Sequence, residues 1–233
     1  MKESIENLLP FERDLFFALN GSESVFLDNV MWTISGRLVW IPVYLLILFL
    51  FFYKTPKKEA FLVTIFFILV FVVCDQVSSS IFKPMFERFR PTHHPDFKEL
   101  VDIVNGYRGG QFGFISGHAT NSFGMAVFLS LLFKNRWLML MALLWATVNS
   151  YSRIYLGVHF LSDIVAGMIV GALIAFILYE LYIQTRFRLY PIPNRQKRRS
   201  VYPLSHGNRL AGFIIIYLGL IIIFSQFLAT LPH

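Results

Sequence analysis

Charge is scarce in this chain of 233 residues: Asp, Glu, Lys and Arg make up 15% of it, against about a quarter in soluble domains. That shortage argues against a lone soluble domain. Acids are the scarcer sign, 14 against 21 Lys and Arg. Cysteine is nearly absent, and Cys74 lies inside an apolar run, which excludes an internal disulfide framework and suits a small packed apolar side chain. The first 14 residues are rich in acids and contain Pro10. They lack the basic opening and apolar core of a cleaved leader, so the N-terminus is expected to be retained. What is abundant is apolar residues, 56% of the chain. They come in long blocks rather than short alternating runs, which predicts one all-α membrane bundle.

Stretches near 20 apolar residues are the length that crosses ~30 Å of hydrocarbon. They predict six transmembrane helices at Trp32–Tyr53, Glu59–Phe82, His118–Phe133, Trp137–Tyr151, His159–Tyr182 and Leu210–Leu231. The third and fourth are short, so their ends reach the interface. Ahead of them, Ile5, Leu8, Leu9, Phe11, Leu15, Phe16, Phe17 and Leu19 mix with Glu6, Glu12, Arg13 and Asp14. This predicts an amphipathic helix in the membrane interface, with an ordinary packed helix as the alternative. The expected organisation is an interfacial segment at 1–30, a transmembrane catalytic core at 31–187, a basic linker at 188–209 and a last transmembrane helix at 210–233.

Twelve of the 21 Lys and Arg residues fall in three connections: Lys54, Lys57 and Lys58; Lys134 and Arg136; and Arg186, Arg188, Arg195, Lys197, Arg198, Arg199 and Arg209. Six spans put all three on one side, cytoplasmic by the positive-inside rule. The run from Arg195 to Arg199 then reads as meeting anionic lipid headgroups rather than nucleic acid. Both termini and the connections Pro84–Gly117 and Ser152–Val158 face outward, to the periplasm in a bacterial inner membrane.

That outward side holds the chemistry. The long Pro84–Gly117 connection follows Lys83 and carries Arg88, Arg90, His93, His94, Lys98 and Arg108, and loops of this length are commonly functional. Pro91 biases Arg90 toward an extended backbone, and Arg forks with a Lys charge suit an oxyanion. Ser116-Gly117-His118 opens the third span, where Ser116 can cap the helix while its free N–H groups attract an anion. Ser152-Arg153 leads, five residues on, to His159, with Asp163 at i+4. On a helix that carboxylate can hold one ring nitrogen and leave the other facing outward, as for an oriented nucleophile; a structural His–Asp tie between helices is the bland alternative. His93 and His94 read as loop residues without a role, with contact to a lipid headgroup as the alternative. Asp75, inside the second span, is expected to hydrogen-bond another span, and Gly167 with Gly171 to permit close helix packing.

Taken in order, Lys83-(six)-Arg90-Pro91, Ser116-Gly117-His118 and Ser152-Arg153-(five)-His159-(three)-Asp163 resemble the three signature motifs of the type 2 phosphatidic acid phosphatase (PAP2) superfamily. The resemblance covers Lys83–Asp163 and the helical bundle around it. One departure is Ile115, where the family usually has proline before Ser-Gly-His; it bears on how the backbone approaches Ser116. The resemblance implies hydrolysis of a phosphomonoester or diphosphate through a phosphohistidine, with neither cofactor nor metal. His159 would attack phosphorus, Asp163 would hold its tautomer, and His118 would protonate the leaving oxygen. Lys83, Arg90, Ser116, Gly117 and Arg153 would bind the phosphate oxygens.

The expected protein is thus a membrane-embedded lipid phosphate phosphatase whose partners are the bilayer and its lipid substrate. Undecaprenyl diphosphate or lipid A is favoured, and phosphatidylglycerol phosphate or phosphatidic acid is the alternative. A vanadium-dependent haloperoxidase shares the anion-binding motifs but is soluble, which six spans oppose. An anion or lipid-phosphate transporter is the rival from outside enzymology, and it would release no phosphate.

Overall fold

The computed structural model describes residues 8–190 and 200–230. Ile5, Glu6, the run Arg195–Arg199 and residues 231–233 lie outside them. Helices are α1 (Leu9–Leu19), α2 (Val25–Ser35), α3 (Ile41–Phe52), α4 (Lys57–Phe86), α5 (Gly117–Phe133), α6 (Arg136–Tyr155), α7 (Leu161–Leu189), α8 (Leu204–Ile223) and α9 (Ser225–Leu228). Among the described residues there is no strand, only one isolated bridge between Phe89 and Phe112.

Among the described residues three helices, α4, α7 and α8, are long and apolar enough to cross a membrane. A fourth span results if α2 and the segment Leu38–Phe52 count together across their 70° bend. The first predicted span is therefore broken, because Gly36 turns extended and ends α2. The predicted third and fourth spans correspond to α5 and α6, which do not meet that length-and-apolarity measure. α5 has only 17 residues, and α6 gives its last turns to Asn149, Ser150, Ser152 and Arg153. Their polar ends are what the site is built from.

α5 sits at the centre, with 11 of its 17 residues buried. Gly167 and Gly171 bring α7 against it: a Cβ on Gly167 would stand 2.8 Å from the Ser116 carbonyl, and one on Gly171 would collide with the Thr120 carbonyl. This is the close packing expected of that spacing. Outward, α7 presents Val165, Ile169, Leu173, Phe176, Ile177 and Leu181, all exposed. Such an apolar sheath suits lipid, not water.

The three basic connections meet at one end of the bundle. Arg209 lies over the Tyr53 ring at 5.7 Å, Arg186 pairs with Glu59 at 2.9 Å, and Ser200 donates to the Leu132 carbonyl at 2.8 Å. Asn135 caps α6 there by accepting from Trp137 N and Leu138 N, both at 3.0 Å. The motif residues lie at the opposite end.

Candidate active site

Six of the eight expected site residues, Lys83, Arg90, Gly117, His118, Arg153 and His159, line a single cavity of about 640 Å³. It reaches between α4, α5 and α6, and its inner wall includes Phe71, Met125 and Trp145. Ser116 and Asp163 are fully buried outside its lining, with Asp163 behind His159. Ser116 caps α5, accepting from Ala119 N at 3.4 Å, while its own N–H donates to the Asp163 carbonyl at 3.0 Å.

His159 stands in the turn before α7 and is held on both ring nitrogens. Nδ1 lies 3.2 Å from Asp163 Oδ2, and Nε2 lies 3.2 Å from Arg90 Nη1. A guanidinium has only protons to give. Nε2 therefore carries the lone pair, and Nδ1 carries the proton toward the carboxylate. Asp163 is steadied in turn by Phe160 N at 3.0 Å, which also closes the first turn of α7. Gly113 packs onto this pair, where a Cβ would come within 3.1 Å of Asp163 Oδ2 and 3.2 Å of Arg90 Cγ.

Arg90 is aimed by its backbone as the following proline predicts, in extended geometry with ψ 155°. It donates from Nε to the Phe112 carbonyl at 3.1 Å and from Nη1 to the Val158 carbonyl at 3.2 Å. Burial, and then the Arg153 charge, push its pKa down to about 10. Arg153 donates to the Ser35 hydroxyl from Nη1 and to the Tyr107 hydroxyl from Nη2, the latter at 2.9 Å. Burial pushes the Tyr107 phenol up, but Arg153 overrides this and holds it below its ordinary value. His118 contacts the Ser35 carbonyl through Nε2 at 3.3 Å. A carbonyl only accepts, so that nitrogen carries a proton.

Arg88 departs from its expected role. The loop sequence places it among the oxyanion cations, yet it is fully buried behind Asp163, donating to Oδ1 at 2.9 Å and to Ser162 Oγ at 2.6 Å. Its far edge pairs with Glu12 of α1. Burial pulls its pKa down, but Asp163 and Glu12 more than offset this and raise it. His93, His94, Lys98 and Arg108 are not among the cavity-lining residues; His94 stacks on Phe97 at 4.1 Å, and Arg108 donates to the Thr92 carbonyl at 3.1 Å. Asp75 lines the cavity, and among the described residues its carboxylate accepts no hydrogen bond from another helix; its carbonyl takes Ser78 and Ser79. Ile115 is fully buried, and the Phe114–Ile115 peptide is cis. Ser35, Tyr107 and Gly113 are site residues that sequence reading misses, since none belongs to a spaced motif.

An apolar helical bundle with cations gathered round a buried His–Asp pair at one end defines a multi-pass membrane phosphoric ester hydrolase. The sequence model of the PAP2 superfamily matches residues 61–187, and the chain belongs to that superfamily. It is 45% identical over 186 residues to a lipid A 4′-phosphatase of Porphyromonas gingivalis, covering 79% of this chain and 78% of that one. It is 38% identical over 218 residues to a lipid A 4′-phosphatase of Bacteroides thetaiotaomicron, covering 91% and 97%. Its fold is similar to the crystal structure of a transmembrane PAP2-type phosphatidylglycerolphosphate phosphatase from Bacillus subtilis, with TM-score 0.52 at 23% identity over 68% of this chain and 78% of that one.

Proposed function

We propose that this chain removes the 4′-phosphate of lipid A through a phosphohistidine on His159. The observation that carries the chemistry is the two-sided hold on that ring, with Asp163 at Nδ1 and Arg90 at Nε2. The substrate is carried by the identity to two lipid A 4′-phosphatases over most of both chains.

In the proposed cycle the Arg90 N–H passes from Nε2 to a phosphoryl oxygen, the freed Nε2 lone pair attacks phosphorus, and the bond to the sugar oxygen breaks. His118, whose Nε2 proton stays on the Ser35 carbonyl, gives that oxygen a proton from Nδ1, and the sugar leaves as an alcohol. Asp163 stabilises the cationic ring. Water then attacks phosphorus, His118 takes a proton from it, and inorganic phosphate leaves with His159 restored. Lys83, Arg90 and Arg153, with the Gly117 N–H and the Ser116 hydroxyl, neutralise the phosphoryl oxygens, where most of the stabilisation in phosphoryl transfer is found. No step calls for a metal. The cavity continues past the phosphate end to Phe71, Met125 and Trp145, an apolar wall suited to part of a lipid.

The chain crosses the bacterial inner membrane six times in this reading, with α5 and α6 as the polar-ended third and fourth spans and the site facing the periplasm. The grouping of three basic connections at the far end supports that orientation. α1 forms the interfacial segment, with Phe11 and Leu15 of its exposed face meeting lipid. The catalytic core runs from α2 through α7, and the last span is α8, which begins at Leu204, inside the stretch expected to be linker.

The test is phosphate release by purified protein from lipid A, undecaprenyl diphosphate and phosphatidylglycerol phosphate side by side. Release from lipid A with loss of the 4′-phosphate, seen by mass spectrometry, is expected. Faster turnover of either other lipid would overturn the substrate while leaving the chemistry standing.

A further inference from the structure

Glu12 belongs to no motif, yet it is 7% exposed on a helix that otherwise lies at the edge of the bundle. Its two oxygens are both used at the start of α7. Oε2 accepts from Ser162 N at 3.0 Å, and Oε1 accepts from Ser162 Oγ at 3.0 Å and pairs with Arg88 Nη2. The Arg88 guanidinium carbon lies over the Phe160 ring, 4.4 Å from its centre. From Nη1 it reaches Asp163 Oδ1, whose other oxygen faces His159 Nδ1.

We propose that Glu12 is a positioning residue for His159, acting through Arg88 and Asp163; this rests on the reading of His159 as nucleophile. A guanidinium fork facing one carboxylate tends to take both its oxygens. Glu12 occupies the Nη2 edge, so Arg88 holds Asp163 by Oδ1 alone and leaves Oδ2 for the imidazole. Glu12 also balances the Arg88 charge. His159 is faced by Arg90 from the long loop, Lys83 from α4, His118 from α5, Arg153 from α6, and Arg88 behind Asp163. Removing the Glu12 charge leaves this cationic surrounding with one carboxylate fewer. The ring then gains a proton less readily, and the cationic phosphohistidine forms more slowly. Glu12 does not line the cavity, so substrate binding is spared.

The experiment compares Glu12→Gln and Glu12→Asp with wild type, each as full-length protein in detergent, by rapid-quench phosphoenzyme formation and the pH profile of kcat. Glu12→Gln should form phosphoenzyme roughly ten- to a hundredfold more slowly, by analogy with the loss on removing an outer-shell partner of a metal-ligating histidine. KM should stay within about twofold, and the acid limb should move to lower pH. Glu12→Asp keeps the charge and should keep the acid limb. An unshifted limb in Glu12→Gln, or an unchanged phosphoenzyme rate, overturns the proposal and leaves His159 as nucleophile. Failure to trap phosphoenzyme on wild type overturns the nucleophile reading instead. If Glu12→Gln does not give monodisperse protein, Arg88→Lys carries the test. It keeps the charge without the second N–H edge, so kcat should fall with KM unchanged, and an unchanged kcat overturns the proposal.

Discussion

Arg90 and His159 meet nitrogen to nitrogen, with Nη1 3.2 Å from Nε2. Any phosphorus approaching Nε2 therefore brings its oxygens within reach of a guanidinium that the Phe112 and Val158 carbonyls already fix in place. Arg90→Lys keeps a charge but loses the fork. Turnover should fall about 10²- to 10³-fold, as when one preorganised donor to a developing charge is removed. Phosphate-release assays on folded variant check this, and turnover within threefold of wild type would refute it.

The same residue sets an alkaline limit. With its pKa pushed down to about 10, Arg90 is charged below that pH and loses its proton above it. The kcat/KM of wild type should hold through pH 8 and decline as pH rises toward 10. A profile that stays flat to pH 11 would be the contrary result.

Nucleophile and partner should separate in trapping experiments. His159→Ala should yield no acid-labile phosphoenzyme. Asp163→Asn should lower turnover by up to about 10⁴-fold, the cost of leaving a catalytic histidine in the wrong tautomer. His118→Ala should slow both steps. Near-normal turnover by His159→Ala would remove the mechanism.

Gly113→Ala places a methyl 3.1 Å from Asp163 Oδ2 and 3.2 Å from Arg90 Cγ. Both neighbours are held by other bonds, so the pair must shift by a few tenths of an ångström. Turnover should drop about tenfold, since misplacement of reacting groups by ~1 Å costs about a hundredfold. The melting temperature should change little. Gly171→Ala makes the opposite comparison: its Cβ meets the rigid Thr120 carbonyl, and overpacking of that kind costs about 1–3 kcal/mol. Thermal unfolding in detergent should register it.

Orientation can be read with cysteines. A membrane-impermeant thiol reagent on intact spheroplasts should label Cys placed at Lys98 and spare Cys placed at Lys57. The reverse pattern would turn the site to the cytoplasm.

The apolar blocks behind α4, α7 and α8 were legible because hydropathy over 20 residues needs no knowledge of neighbours. The break at Gly36 was not: one glycine within an apolar run carries little signal until the chain is seen to bend there. In the site, Arg90, His118 and His159 could be found because motif spacing is local. Arg88 could not be separated from the other loop cations, since its role depends on Glu12, 76 residues away. Asp75 was expected to tie two spans, and it faces the cavity instead. Polarity alone does not tell which side of a helix will be hollow.

Ser35 ends the first arm of the bent helix pair and serves two masters: its carbonyl takes His118, and its hydroxyl takes Arg153. One residue thus sets the spacing between a proton donor and a phosphate cation that come from different helices. His118 and Arg153 stand on α5 and α6, so a tilt of the first arm would loosen both contacts at once, and the seating of that arm in the bilayer bears on acid and cation together.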